Sequence, residues 1–166
     1  MAWVSPTGFN DPSSKYSFED KAYDDNINTY CRSGYNPGAA YLELTHPAIQ
    51  CDKVRINVAK RKPSGEADPD ILLDVYYGGA WHNIFSGKVA MKVWVEKEIG
   101  STESVTAMRL CCDSFKGYNY FWIYEVAFNQ VKMGLINGYF MQNGIKEEKF
   151  GYLMNSIEEF GYYMNI

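Results

Sequence analysis

The chain has 166 residues, of which 46% are hydrophobic and 16% aromatic, enough for one well-filled domain and too many for a disordered chain. A formal charge of −4 argues against nucleic acid as the main partner. No basic segment followed by an apolar one opens the sequence, and no apolar run is long enough to cross a bilayer. We therefore expect neither a secretion signal nor membrane insertion.

Short runs of alternating apolar residues recur along the chain, and helical periodicity is nearly absent. The predicted strands are 41–44, 53–58, 71–77, 81–86, 92–99, 104–112 and 120–130. Turn residues separate them, at Pro37-Gly38, Pro63-Ser64-Gly65, Gly78-Gly79, Gly100-Ser101 and Lys116-Gly117. A single helical turn is expected at 17–21, with Ser17 as its N-cap. Seven or eight strands at this spacing predict an antiparallel sandwich or barrel, with Trp81, Trp94 and Trp122 in its core.

The polar turn at 22–30, Ala-Tyr-Asp-Asp-Asn-Ile-Asn-Thr-Tyr, precedes the first strand. Asp24, Asn26 and Thr29 lie close together in it, and a tight loop can aim such oxygens at one point, as calcium requires. Glu125, inside the aromatic strand 120–130, is a distant carboxylate that could complete the shell. The alternative is an Asx-rich turn whose side chains bond to their own backbone.

No catalytic set is visible in the sequence. It contains no metalloprotease motif, no glycine-rich phosphate loop and no nucleophile elbow, and a hydrolase using two carboxylates is the minor alternative. The four cysteines do not have zinc-site spacing, so we expect them to be reduced and mostly buried. These observations predict a binding or structural protein rather than an enzyme.

Residues 132–166 differ from the rest of the chain. The motif Gly-Tyr-x-Met-Asn/Gln recurs in them. The segment is too short to form a core alone, yet too rich in Tyr, Phe and Met to remain solvated. We expect this tail either to bind another subunit as an assembly arm or to add strands to the same domain, with a domain boundary after residue 131. The expected assembly residues are Tyr139, Phe140, Tyr152, Leu153, Phe160, Tyr162 and Tyr163.

The order of these signals resembles the discoidin or coagulation-factor type C family, relatives of family 32 carbohydrate-binding modules. Residues 22–30 are similar to the family's Ala-x-Asp-Gly-Asn-x-x-Thr-x-Trp, although Asp25 replaces its Gly and Tyr30 or Cys31 stands in place of its Trp. The early strand pair, the hairpin ending in Trp81-His-Asn-Ile and the closing strand 120–128 resemble the family in the same order. The resemblance covers residues 2–130 and implies an eight-stranded antiparallel jelly-roll β-sandwich of the galactose-binding type.

In calcium-binding relatives a structural ion lies near one edge of the sandwich. Carried over to this chain, its ligands are the side chains of Asp24, Thr29 and Glu125 and the backbone carbonyls of Ala22, Asn26 and Val126. Relatives bind sugars, lipid headgroups or proteins through loops at one end, here 32–39, 60–70 and 113–119. The residues in them that suit a sugar's apolar face and hydroxyl rim are Tyr35, Asn36, Arg61, Phe115, Lys116, Tyr118 and Asn119. The alternative is that these are ordinary loop residues that bind no ligand.

Two functions follow as predictions. The first is a structural component of a virion or filament, synthesised in the cytoplasm and assembling with itself or with other structural subunits through the tail. The alternative is a carbohydrate-binding module that recognises cell-surface glycans through the loops at one end of the sandwich.

Overall fold

The computed structural model describes residues 2–112 and 119–132, together with the backbone of 134–136 and 139–141. Contacts divide the chain into two compact units, Met1–Gln130 and Val131–Ile166. The strands of the first unit are β1 (Ala2–Val4), β2 (Gly8–Asn10), β3 (Tyr16–Ser17), β4 (Cys31–Ser33), β5 (Leu42–Lys62), β6 (Gly65–Ala67), β7 (Asp70–Tyr77), β8 (Ala80–Lys88), β9 (Val95–Cys112) and β10 (Tyr120–Gln130). In the second unit β11 (Gly134–Ile136) pairs with β12 (Tyr139–Met141) as an antiparallel hairpin.

Every strand of the first unit belongs to one continuous antiparallel sheet. Its order is β3-β4-β10-β5-β9-β7-β8, with β1 added to β10, and β2 and β6 added to β5. The first part of β5, 42–45, pairs with 107–110 of β9, whereas 53–56 pairs with 95–98 of the same strand. Between these two stretches the register shifts twice, which lets the long strands bend from one layer to the other. The result is the predicted antiparallel β-sandwich, whose sheet is not closed.

The prediction that 41–44 and 53–58 are separate strands was wrong, because both lie in β5, and 104–112 likewise continues from 95 within β9. The predicted turn at Gly100-Ser101 is also absent. Gly100 has φ +98°, a conformation that glycine adopts at no steric cost, and it lies in the stretch of β9 where the register shifts. The backbone therefore bends there without ending the strand.

The helical turn predicted at 17–21 begins later than expected. A 3₁₀ helix spans Glu19–Ala22, and Ser17 belongs to β3 and does not cap it. The chain leaves β3 through Phe18, whose left-handed φ of 60° makes the corner, and the helix starts at the next residue. No helix in the part of the chain that the structure describes is long and apolar enough to cross a membrane.

Inward-facing residues of both layers form one core. Its largest fully buried side chains include Phe121, Phe128, Leu42 and Leu44, each contributing roughly 1.5–3 kcal/mol by burial. As predicted, the four cysteines are buried.

The prediction that the tryptophans are core residues was wrong. Trp94 is 37% exposed, and Trp81 and Trp122 are half-buried. The Arg55 guanidinium lies 4.0 Å from the ring centroid of Trp94 and 4.5 Å from that of Trp3, so these rings cover a cation at the surface.

Candidate functional site

A bulge in β10 turns Glu125 away from the core. The register of β10 against β5 shifts between Ile123 and Glu125. Phe121 and Ile123 before the shift, and Val126 after it, are all core residues, so the extra residue leaves Glu125 on the opposite face. There it is only 2% exposed, and its Oε1 accepts a hydrogen bond from the Asn26 N–H at 3.2 Å.

The polar turn at 22–30 brings its own oxygens to the same place. Both carboxylate oxygens of Asp24 lie 2.9 Å from Thr29 Oγ1, which is also 2.9 Å from the Asn26 carbonyl oxygen. The Asn26 side chain accepts a bond from the N–H of Asn28 at 3.1 Å, so the predicted Asx-type bonding is present alongside the convergence. Lys21 Nζ lies 3.2 Å from the Asp24 carboxylate.

Asp25 explains why the related motif uses glycine at this position. Its φ is 58°, in the left-handed region that glycine adopts freely and aspartate tolerates. Its carboxylate accepts a hydrogen bond from Ser5 Oγ at 2.7 Å. The substitution therefore preserves the turn and adds a negative charge beside Asp24 and Glu125.

The carboxyl groups of this turn titrate abnormally. Burial, reinforced by the neighbouring Asp24 and Asp25 carboxylates, raises the pKa of Glu125 to about 7, although the Asn26 N–H opposes the rise. Burial also acts to raise the pKa of Asp24, but hydrogen bonds from Thr29 and Lys21 outweigh it and hold that pKa below its ordinary value. Three carboxyl groups, those of Asp24, Asp25 and Glu125, therefore interact under the turn, and Lys21 is the cation paired with Asp24.

The donor types in this cluster fit a calcium ion. Two carboxylates, a hydroxyl and a carbonyl oxygen are the hard ligands that calcium takes. Of the six predicted ligand residues, hydrogen bonds join Asp24, Asn26, Thr29 and Glu125, while Ala22 ends the 3₁₀ helix before the turn and Val126 follows Glu125 in β10. Within the described residues no three His, Cys, Asp or Glu side chains form a metal-binding group, so any ion here would depend on neutral oxygens as well.

A second feature, not predicted from the sequence, is an aromatic cluster on the outer face of β10. Trp122 and Tyr124 alternate with the buried Phe121 and Ile123 and so point away from the core. Tyr30, at the end of the polar turn, stacks on Trp122 with ring centroids 4.3 Å apart and lies edge-on to Tyr124 at 5.5 Å. The alternation of aromatic residues along 120–124 was the sequence signal for this cluster.

The aromatic cluster borders a cleft of about 390 Å³, which we call the face cleft. It is lined by Ile27, Asn28, Tyr30, Asn57, Glu66, Lys92, Trp122 and Tyr124. Lys92 Nζ lies 2.7 Å from Glu66 Oε2 across it, while Asn57, 4% exposed, forms part of its wall. The face cleft therefore combines aromatic rings with an ion pair and amide groups.

The predicted ligand loops form a separate pocket of about 270 Å³, which we call the loop pocket. It is lined by Tyr35, Arg61, Lys62, Pro63 and Tyr120, and the Tyr35 and Tyr120 rings meet edge-on with centroids 5.9 Å apart. Behind it the Asn36 N–H donates to the Asn119 carbonyl at 3.1 Å, which joins two of the three loops. Of the predicted ligand residues, Tyr35 and Arg61 meet in the pocket and Asn36 and Asn119 support it.

The remaining predicted residues fall largely outside the described part of the chain. Three of the ligand-binding residues lie there, namely Phe115, Lys116 and Tyr118. Among the assembly residues, Tyr139 and Phe140 belong to the backbone of β12. The others lie outside the described residues: Tyr152, Leu153, Phe160, Tyr162 and Tyr163.

No model of a known protein family matches the chain, and no curated protein matches it. Solved structures do. CBM32-1 from a family 31 glycoside hydrolase of Clostridium perfringens superposes with a TM-score of 0.58 at 12% identity, covering 76% of this chain and 96% of that one. The family 32 module of C. perfringens NanJ, in complex with galactose, gives 0.56 at 14% identity, with 76% and 96% covered. A pectin-binding module gives 0.53 at 14% identity, with 76% and 93% covered. The chain therefore has the galactose-binding-like, discoidin-type sandwich fold of family 32 carbohydrate-binding modules.

Proposed function

We propose that this protein is a non-enzymatic module that binds glycans through the loop pocket. The observation that carries the proposal is the meeting of Tyr35, Arg61 and Tyr120 in one concave site at the loop end of the sandwich. A pyranose ring has an apolar face that packs on aromatic rings and hydroxyls that accept hydrogen bonds from a guanidinium. The similar structures support the ligand class, since one is in complex with galactose and another binds pectin.

The loop pocket is tested by screening the intact protein on a glycan array and titrating the strongest glycan by calorimetry. We expect Tyr35→Ala and Arg61→Ala each to weaken binding by about ten-fold or more, because each removes a side chain that lines the pocket. Phe9→Ala is the matched control, since Phe9 and Tyr35 are both 46% exposed and Phe9 lies on β2, outside both pockets. A folded wild type that binds no glycan, or variants that bind as well as wild type, would overturn the proposal.

We further propose that the turn at 22–30 binds one structural calcium ion through Asp24, Thr29 and Glu125. The support is the convergence of hard oxygens and the burial of Glu125 beside the Asp24 and Asp25 carboxylates, which raises the pKa of Glu125. The ion would fix the turn that carries Tyr30. Its role is therefore to hold the binding face in shape rather than to take part in chemistry.

The predicted virion or filament role depends on the tail at 132–166, most of which lies outside the described residues. It remains a prediction. Native mass measurement of the full chain, and of a chain truncated after Gln130, tests it. Self-association that is lost on truncation would favour an assembly arm, whereas a monomer in both cases would contradict it.

A further inference from the structure

The face cleft is a second site, separate from the loop pocket. The two share no lining residue in the described part of the chain, although they adjoin: the Arg61 guanidinium of the loop pocket lies 5.8 Å from the ring centroid of Trp122 in the face cleft. The face cleft lies over the outer surface of β10, beside the polar turn, whereas the loop pocket lies at the strand ends. Its volume of about 390 Å³ falls within the roughly 300–1,000 Å³ typical of small-molecule pockets.

The aromatic rings of the face cleft form a corner rather than a flat patch. Tyr30 and Trp122 are nearly parallel, with 17° between their planes, and Tyr124 stands at 77° to Trp122. Tyr30 itself fills the angle between Trp122 and Tyr124, and Tyr124 is only 5% exposed. The partly exposed rings of Tyr30 and Trp122 are therefore the apolar surface that a ring-shaped ligand can lie against. The stacking also restrains the three side chains before any ligand arrives, which lowers the entropy cost of binding.

The polar groups of the cleft leave one buried acceptor unused. Asn57 Oδ1 has no hydrogen-bond partner among the described residues, although Asn57 is nearly fully buried. An unsatisfied buried acceptor costs on the order of 1–3 kcal/mol. Less than 1 Å² of this oxygen is exposed, so a ligand hydroxyl recovers that loss only when the Asn57 side chain turns toward the cleft. Such an acceptor selects a ligand with a hydroxyl or N–H donor.

The charged groups of the cleft are fixed and mutually compensated. The Lys92 N–H donates to the Val58 carbonyl at 2.9 Å, which anchors the loop at the cleft, and Lys92 Nζ lies 2.9 and 2.7 Å from the two carboxylate oxygens of Glu66. The ammonium is also 5.3 Å from the Tyr124 ring centroid. Because one cation and one carboxylate line the cleft and pair with each other, the site carries no net charge to attract an ionic ligand.

We propose that the face cleft is a second saccharide site, which binds a neutral pyranose. The partly exposed rings of Tyr30 and Trp122 take the apolar face of the sugar ring, and Asn57 Oδ1, once its side chain turns toward the cleft, accepts from one of the hydroxyls. The Lys92–Glu66 pair offers both a donor and acceptors to the other hydroxyls. The inference rests on the proposed function only for its ligand class, because the site itself is distinct from the loop pocket.

The test uses the ¹⁵N-labelled full chain titrated with methyl glycosides of glucose, galactose and mannose, one at a time, at millimolar concentration. We expect saturable shifts of the Trp122 indole N–H and of the Lys92 amide for at least one glycoside. Trp122→Ala should weaken this binding by about ten-fold or more and Lys92→Met by a smaller factor. Lys92 is partly exposed, so its variant remains informative if loss of Trp122 disturbs the fold. Tyr35→Ala, the control in the loop pocket, should leave these shifts unchanged.

The possible failures are distinguishable. Glycosides that shift only resonances of the loop pocket would overturn the second site and leave the proposed function in place. Shifts of the backbone amide at position 92 that persist with unchanged affinity in both cleft variants would likewise overturn it. A wild type that binds no saccharide in the titrations or on the array would remove the proposed function together with this inference.

Discussion

Glu125→Gln should stabilise the protein at high pH when calcium is absent. The pKa of Glu125 is raised from 4.5 to about 7 in the folded protein, mainly by burial. The folded state therefore holds the proton more tightly than the unfolded chain. The stability that the protonated Glu125 side chain contributes is fully present below pH 4.5 and is lost as the pH rises through about 7. Each pH unit corresponds to about 1.4 kcal/mol, so ionising Glu125 costs about 3 kcal/mol.

Glutamine has nearly the same shape as glutamate but does not ionise, so the substitution removes the cost of a buried charge. Its oxygen can still accept the Asn26 N–H, and its amide can donate to the nearby Asp24 carboxylate. We expect Glu125→Gln to increase the free energy of unfolding by up to about 3 kcal/mol at about pH 8 in EDTA, and to change it little at about pH 4. Wild-type stability should fall between these pH values, and the variant should show a flatter profile.

Urea unfolding followed by tryptophan fluorescence at both pH values measures the effect. Glu98→Gln, which removes an exposed carboxylate from β9, is the control and should leave the profile of the wild type unchanged. A variant that is less stable than wild type at high pH in EDTA would refute the reasoning. So would a wild-type profile without a decline across the titration of Glu125.

Three further predictions concern the ion, the core and the bend in β9. Chelation of calcium should lower the melting temperature of wild type but not of Asp24→Ala, because calcium at 100 times its Kd increases the free energy of unfolding by about 2.7 kcal/mol. An unchanged melting temperature of the wild type would contradict a bound ion. Phe128→Ala should cost about 3–5 kcal/mol in urea unfolding because the ring is fully buried, and a cost below 1 kcal/mol would show that the site collapses. Gly100→Ala should cost about 1–2 kcal/mol through backbone strain alone, because φ is +98° and no heavy atom lies within 4 Å of the added Cβ. A neutral result, measured in the same way, would mean that the bend relaxes.

Alternation and turn residues were sufficient to predict β7, β8 and the closing strand β10. The range 120–130 is β10, and the Gly78-Gly79 turn joins β7 to β8 with both glycines at positive φ. The continuity of β5 and β9 could not be predicted in this way. A register shift interrupts the alternation, and Pro47 within β5 reads as a break, although the strand passes through both layers.

The candidate sites likewise include one that the sequence predicted and one that it did not. The resemblance brought Asp24, Thr29 and Glu125 together, and the structure places them in one cluster. The face cleft was missed because the packing of Tyr30 on Trp122 depends on how the turn folds over β10, which no local pattern encodes. The bulge that turns Glu125 outward is equally invisible in a run of aromatic and apolar residues.

The position of β10 has a consequence for how this chain folds during its synthesis. β10 pairs with β1, β4 and β5, so the N-terminal strand waits for a partner that emerges almost at the end of the first unit. Until then, β1 has no partner, one edge of β4 and one edge of β5 are unpaired, and the core lacks Phe121 and Phe128. Ribosomes add roughly 5–20 residues per second, so the nascent chain exposes open strand edges for several seconds. Unpaired strand edges promote aggregation, so a chaperone present during synthesis should improve the yield of this protein.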